Sequence, residues 1–233
     1  MNEIDKRRVR LSCLRSIFYD EAAYIKELTL LTEHFLKEEY QSIIDRADKE
    51  ITEDLPEFEK CFVAECYAED VDKIQEVFPR VLRYSLFVTS MTKLECAIVS
   101  LCKGAKHIFG LSQDFSSKPP NVISRGLEYL KGQLGINTEK FNHYIELIEK
   151  CRMIRNCIVH SEGDITERGK DEPLLRQFIA ESITLDIDRQ NRIILLEGFV
   201  SGTTHTAELL WERLLNAIEE KIDVQQQHRG DRE

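Results

Sequence analysis

A mainly α-helical fold with one small β-hairpin near the C-terminus follows from three observations on this 233-residue chain. Apolar residues recur at three- and four-residue spacing over most of its length, which sets them along helix faces. One stretch, Val81 to Cys102, is apolar or small nearly all round and marks a helix buried on most sides. Only two short runs are β-rich, and they lie together late in the chain. With 42% hydrophobic residues there is ample material for a core. No repeat or linker interrupts it, so a single helical domain over residues 1–223 is expected, with the polar residues 224–233 as a frayed tail.

The first helix is expected from about Arg8 to Arg46, with Leu11, Leu14, Ile17, Phe18, Ile25, Leu28, Leu31 and Phe35 on its inward face. A second covers Pro56 to Val77, with Phe58, Phe62, Cys66 and Ile74 inward. Pro79 opens a third, where its missing N–H costs nothing, and the run from Val81 to Cys102 makes this the central helix. Ser116 to Asn121, containing Pro119-Pro120, reads as a connecting loop. Val122 to Leu134 is a short helix stopped by Gly135. Asn137 or Thr138 then caps the helix that runs to His160. Ser161 to Asp171 is polar, holds two glycines and reads as an exposed loop. Ser182 to Ile187 and Arg192 to Val200 form the hairpin around Asp188-Arg189-Gln190-Asn191, and Ala207 to Ile222 closes the fold around Leu210, Trp211 and Leu214.

The formal net charge of −10 argues against a general nucleic-acid binder. The charge is uneven, however. Residues 103–155 carry nine Lys+Arg against five Asp+Glu, while the flanking stretches are acidic. Seven cysteines, an odd number, mostly sit in apolar helical runs (Cys96, Cys102, Cys151, Cys157) and read as reduced core residues rather than a disulfide framework. The N-terminal residues have no apolar leader, and no run reaches the roughly 18 uninterrupted apolar residues of a membrane span. A cytoplasmic protein without membrane contact is expected. Cys61 and Cys66 lack zinc spacing, and Gly163 to Lys170 lacks the strand and the Ser/Thr of a phosphate loop, so no metal site and no cofactor are expected.

The most informative segment is Arg155-Asn156-Cys157-Ile158-Val159-His160. At 100° per residue, Leu147, Ile148, Cys151, Ile154 and Ile158 form an apolar stripe about 120° wide, and Arg155 lies inside it. Asn156 and His160 share a face further round, joined by Arg152. A guanidinium at a core edge needs a carboxylate. Glu95, the only acidic residue between Tyr84 and Cys102, is the natural partner. His160 ends its helix, where the dipole favours imidazolium. On one chain it is an ordinary surface residue. A two-fold axis near this face would gather two His160 with the Arg155 or Arg152 side chains.

These residues resemble the signature of HEPN domains, an arginine followed four to six residues later by a histidine, and Ser90-Met91-Thr92-Lys93-Leu94-Glu95 resembles the serine-rich helix with a Leu-Glu step that precedes it. The resemblance covers the third helix through His160 and, loosely, the hairpin and last helix. It implies a homodimeric, metal-independent endoribonuclease of the kind used as a toxin or antiphage defence effector. One His160 would take the proton of an RNA 2′-hydroxyl and the other would protonate the leaving 5′-oxygen. Arg155 would stabilise the phosphorus-centred charge, and Asn156 would orient phosphate or histidine. Glu95 and Arg152 would support the site.

The acidic balance leaves two routes to RNA: a local basic cleft of Lys103, Lys106, Arg125, Lys131 and Arg152, or weak contact until a partner presents the substrate. Acidic first helices would suit an antitoxin or a sensor protein. Two other readings stay open. One is a non-catalytic HEPN-like module that binds RNA, nucleotide or protein; the other is a plain helical scaffold.

Overall fold

The computed structural model describes residues 3–116 and 121–230. The expected loop prolines, Pro119 and Pro120, and residues 231–233 of the expected tail lie outside them. The fold is mainly α. Its elements are α1 (Glu3–Glu50), α2 (Glu57–Asp72), α3 (Phe78–Phe109), α4 (Val122–Leu134), α5 (Asn142–Ser161), α6 (Glu172–Glu181), β1 (Leu185–Ile187), β2 (Ile193–Leu195) and α7 (Phe199–Gly230). Helix α2 runs through a π-helical turn, Lys73–Val77, directly into α3. Pro79 therefore lies one residue inside α3 rather than opening a separate helix. Helix α7 starts eight residues before Ala207 and stays helical to Gly230.

Contacts sort the chain into two compact units, each built from separate segments. The first comprises residues 1–25, 89–156 and 202–233. Its centre is Trp211, 1% exposed, whose ring centroid lies 4.8 Å from that of Phe18, with Leu94, Ile98, Leu130, Ile148, Leu210 and Leu214 buried within the same unit. Ion pairs tie α1 to α7 along the surface of this core: Arg8 to Asp223 at 2.8 Å and Arg15 to Glu219 at 3.1 Å. The Tyr19 hydroxyl donates to Glu212 at 2.6 Å; burial and this carboxylate push the phenol up to about 12. Gly126 lies so close to Ile98 of α3 that any side chain there would collide with it. The hydroxyls of Ser90 and Thr204 are buried 2.9 Å apart, and Cys151 Sγ meets the Thr203 hydroxyl at 3.6 Å.

The second unit comprises residues 26–88 and 157–201. Leu36, Ile43 and Ile74 form a small apolar cluster, packed by Tyr40, Tyr67, Val71 and Leu82. The hairpin is antiparallel, with Leu185 opposite Leu195 and Ile187 opposite Ile193. Arg83 grips Glu33 with Nε and Nη2, at 2.7 and 2.6 Å, and donates from Nη1 to the Leu195 carbonyl at 2.9 Å. Tyr84 donates to the carbonyl of Ile193, so the outer side of β2 is satisfied by α3 side chains.

Several expected orientations are corrected. On α1 the buried line is Leu11, Phe18, Ala22, Ile25, Thr29, Glu33, Leu36 and Ile43, whereas Ile17, Leu28, Leu31 and Phe35 are exposed. The helix carries two apolar seams offset by one residue, about 100°, and only one of them packs within the chain. Phe58, Phe62 and Cys66 on α2 are exposed, and of the expected inward set only Ile74 is buried. Helix α6 is an addition to the expected elements. The expected loop after His160 contains a 3-10 turn, Ile165–Asp171, and both strands are three residues long.

By length and composition one helix, Glu57–Phe109, could cross a membrane, with a mean hydropathy of 1.4 over its most apolar window. Phe87, Met91, Leu94, Ile98 and Leu101 on it are buried within the protein, and 39% of that apolar window is buried.

Cys96 is exposed, as are Cys13, Cys61 and Cys66; only Cys102, Cys151 and Cys157 are buried. Burial pushes the Cys102 thiol up to about 12 and those of Cys151 and Cys157 up to about 11. All three raised values lie above that of an unfolded thiol. The stability they contribute is thus present below the unfolded pKa and lost as pH climbs through about 11. Native protein at pH 8 is expected to react with a disulfide reagent at four thiols and to release the other three only in denaturant; a fifth fast thiol would contradict this burial pattern.

Candidate functional site

Helix α5 is prepared by a 3-10 turn, Thr138–Phe141, whose N-cap Asn137 accepts from the Glu139 backbone N–H at 3.0 Å. Ahead of it Gly135, at φ +62°, closes α4 with its N–H on the Lys131 carbonyl. Along α5, Ile148, Cys151, Ile154, Cys157 and Ile158 are buried, so the apolar stripe read from the sequence is the packed face.

Arg155 is half-buried at the edge of that stripe, in the first unit. Its Nη2 lies 3.8 Å from Glu95 Oε2 on α3, and its Nη1 donates to the Asn156 side-chain oxygen at 3.0 Å. Among the described residues its Nε is buried without a hydrogen-bond acceptor. At 3.8 Å the Glu95 contact is a loose ion pair, longer than a charge-assisted hydrogen bond of about 2.7–2.9 Å. Arg152 bonds Glu149 at 2.7 Å, one turn back on the same helix, and Glu149 also accepts from the Ser124 hydroxyl at 2.5 Å. The expected catalytic Arg155 and the expected supporting Arg152 are therefore both already engaged by carboxylates. So is Lys106, paired with Asp114, whereas Lys103 and Lys131 are exposed. Arg125 keeps Nε and Nη2 buried without acceptors among the described residues.

His160 is exposed in the last turn of α5, next to Val159, which is also exposed. It belongs to the second unit, and the backbone beyond it is held firmly there. Glu162 and Gly163 both take positive φ, and the Gly163 N–H reaches back to the Cys157 carbonyl at 3.2 Å. A side chain at Gly163 would run into the Tyr84 hydroxyl, so only glycine fits beneath that ring. Tyr84 is itself half-buried, and this desolvation holds its phenol well above its ordinary pKa. The turn after His160 is thus clamped between α3 and β2, and the imidazole leaves the helix at a fixed place.

In one chain the arrangement supplies an arginine oriented by Glu95 and Asn156, and a solvent-accessible imidazole five residues further along the same helix. A guanidinium so held can donate hydrogen bonds to phosphate oxygens, and an exposed imidazole offers ring nitrogens that can give or take a hydrogen bond. No residue of the Arg155 to His160 segment lines a cavity of about 580 Å³ in the second unit, between the start of α3 and the hairpin. Gln75, Arg80, Arg83, Asp188, Arg189 and Ile193 are among its walls. Arg80 reaches Asp188 only at 3.8 Å, while Asp188 is bound more closely by Arg192 at 2.8 Å. Sequence reasoning passed over this cavity because its walls come from segments about 110 residues apart. No family model matches the chain, and no curated protein or solved structure matches it significantly.

Proposed function

We propose that the chain is a HEPN-type, metal-independent endoribonuclease, active as a homodimer and suited to a role as toxin or defence effector. The observation that supports this reading most is the division of labour on α5: Arg155 is oriented from both sides, by Glu95 and Asn156, while His160 stays open to solvent on the final turn. In the proposed reaction His160 of one subunit removes the proton from a 2′-hydroxyl, whose oxygen attacks phosphorus. The P–O5′ bond breaks as the second His160 protonates the departing oxygen. Arg155 balances the charge that builds on the phosphoryl oxygens. The products are a 2′,3′-cyclic phosphate and a 5′-hydroxyl, and the proton count closes between the two imidazoles.

The experiment is cleavage of a labelled RNA pool in EDTA by wild type and by His160→Ala. The variant is expected to lose at least 100-fold in rate, the low end for removal of a general acid–base, with the helical circular dichroism signal unchanged because the side chain is exposed. Undiminished cleavage in the variant would exclude the scheme. A second reading, a non-catalytic module that binds RNA, nucleotide or protein, draws on the same Arg155 contacts: a guanidinium already committed to Glu95 and Asn156 also suits a purely structural post. Absence of cleavage by wild type, with RNA retained on the protein, would favour it.

A further inference from the structure

Helix α1 has an outer seam that no described residue covers. Ile17, Tyr24, Leu28, Leu31 and Phe35 follow one another at intervals of seven, four, three and four residues on one unbroken helix, and are 60%, 64%, 52%, 57% and 49% exposed. Each is a large apolar side chain in a heptad-like position, and Leu30, 70% exposed, flanks them. The buried seam that α1 uses for its own fold lies one residue further round, so this second line is surplus to the fold.

We propose that the seam formed by Tyr24, Leu28, Leu31 and Phe35 is covered by the same seam of a second copy of this chain, the two helices running antiparallel. The area is of the right order. The four side chains, a little over half exposed, present roughly 400 Å² of apolar surface per copy. With their polar flanks this can form the apolar centre of an interface near the roughly 800 Å² per subunit of a standard stable one, and it is as large as the largest patch, roughly 300–600 Å² and often functional, of an ordinary monomer. Chain direction follows from what would face what. In an antiparallel pair, Leu28 packs on Leu31 of the second copy and Tyr24 on Phe35, so leucine meets leucine and the two aromatic rings meet each other at the ends. Glu27, on the flank, then lies beside His34 of the other helix, twice by symmetry, an acceptor against an N–H donor. A parallel pair would stack Tyr24 on Tyr24 and Phe35 on Phe35, and would set Glu27 against Thr32. Glu21, which interrupts the seam one turn before Tyr24, is already neutralised by Lys93 at 2.7 Å and marks its end.

This interface is not the His160 face of the ribonuclease reading, and it is tested by the mass of variants on α1, whereas that reading is tested by cleavage. Sedimentation of the full chain at micromolar concentration is expected to give an even multiple of the 27.2 kDa of one chain. Leu28→Glu and Leu31→Lys, each alone, are expected to halve that mass with unchanged circular dichroism, since both side chains are exposed. The double substitution is expected to restore it, because the two opposite charges meet across an antiparallel seam; in a parallel seam like charges would meet and the mass would stay halved. A monomeric wild type, single variants that keep the full mass, or a double variant that fails to recover would each overturn the proposal. The last outcome alone, with the singles dissociated, would replace it by a parallel pair.

Discussion

Replacing Glu33 with alanine is expected to cost about 3–5 kcal/mol of stability and to lower the unfolding midpoint by roughly 10 °C. Glu33 is 7% exposed in the middle of α1 and receives two short hydrogen bonds from Arg83. Removing the carboxylate leaves a largely buried guanidinium that keeps its bond to the Leu195 carbonyl but loses its paired charge. Most of the loss is therefore the cost of an uncompensated charge, not the intrinsic value of the pair. The double change Glu33→Leu with Arg83→Met is expected to recover most of the stability, because a well-packed apolar pair often matches a buried ion pair. Hydrogen exchange should quicken first in the hairpin and the start of α3, both reached by Arg83. A double variant as unstable as Glu33→Ala would show that the charge pair itself holds this unit together.

Trp211→Ala is expected to remove about 3–5 kcal/mol, the range for deleting a large buried aromatic. The indole is 1% exposed and packs on Phe18, in a unit whose buried residues include Leu94, Ile98, Leu210 and Leu214. Its effect should appear elsewhere in the chain. Exchange is expected to quicken in the N-terminal half of α1 and in α7, measured beside the Glu33 variant in the same experiment. Trp211→Phe, which keeps most of the volume, is expected to lose about half as much. The indole Nε1 is buried without an acceptor among the described residues, so this substitution also removes an unsatisfied donor. Equal losses for the two variants would point to the ring's shape rather than the cavity.

The helices were legible wherever one apolar stripe ran at a 3.6 period, as in α4 and α5. Gly135 marked the end of α4 because only a residue tolerant of positive φ closes a helix that way. The inward face of α1 was not legible, because two apolar seams compete and periodicity cannot choose between them. What decides is Arg83, 50 residues away, which draws Glu33 inward and turns Leu28, Leu31 and Phe35 out. Helix α6 escaped notice for a local reason: it is ten residues long, carries Pro173 in its first turn and buries only Leu175 and Ile179. At the candidate site, the Arg155–Glu95 approach was readable because a lone acid in an apolar helix needs a cation. The Arg152–Glu149 bond was not anticipated, although the three-residue spacing on one helix announces such a pair. What a second His160 would add cannot be written in the pattern of one chain, since it depends on symmetry.

The buried hydroxyls of the first unit carry a consequence for how its helices find their places. Leucines and isoleucines pack almost as well after a slide of one helical turn, since one greasy knob resembles the next. Ser90 with Thr204 and Cys151 with Thr203 do not share that tolerance. A slide of about 5.4 Å would strand four polar atoms against hydrocarbon, at about 1–3 kcal/mol each. These small side chains thus act as a vernier: α3, α5 and α7 can stand close in many alignments, but in only one do the marks coincide.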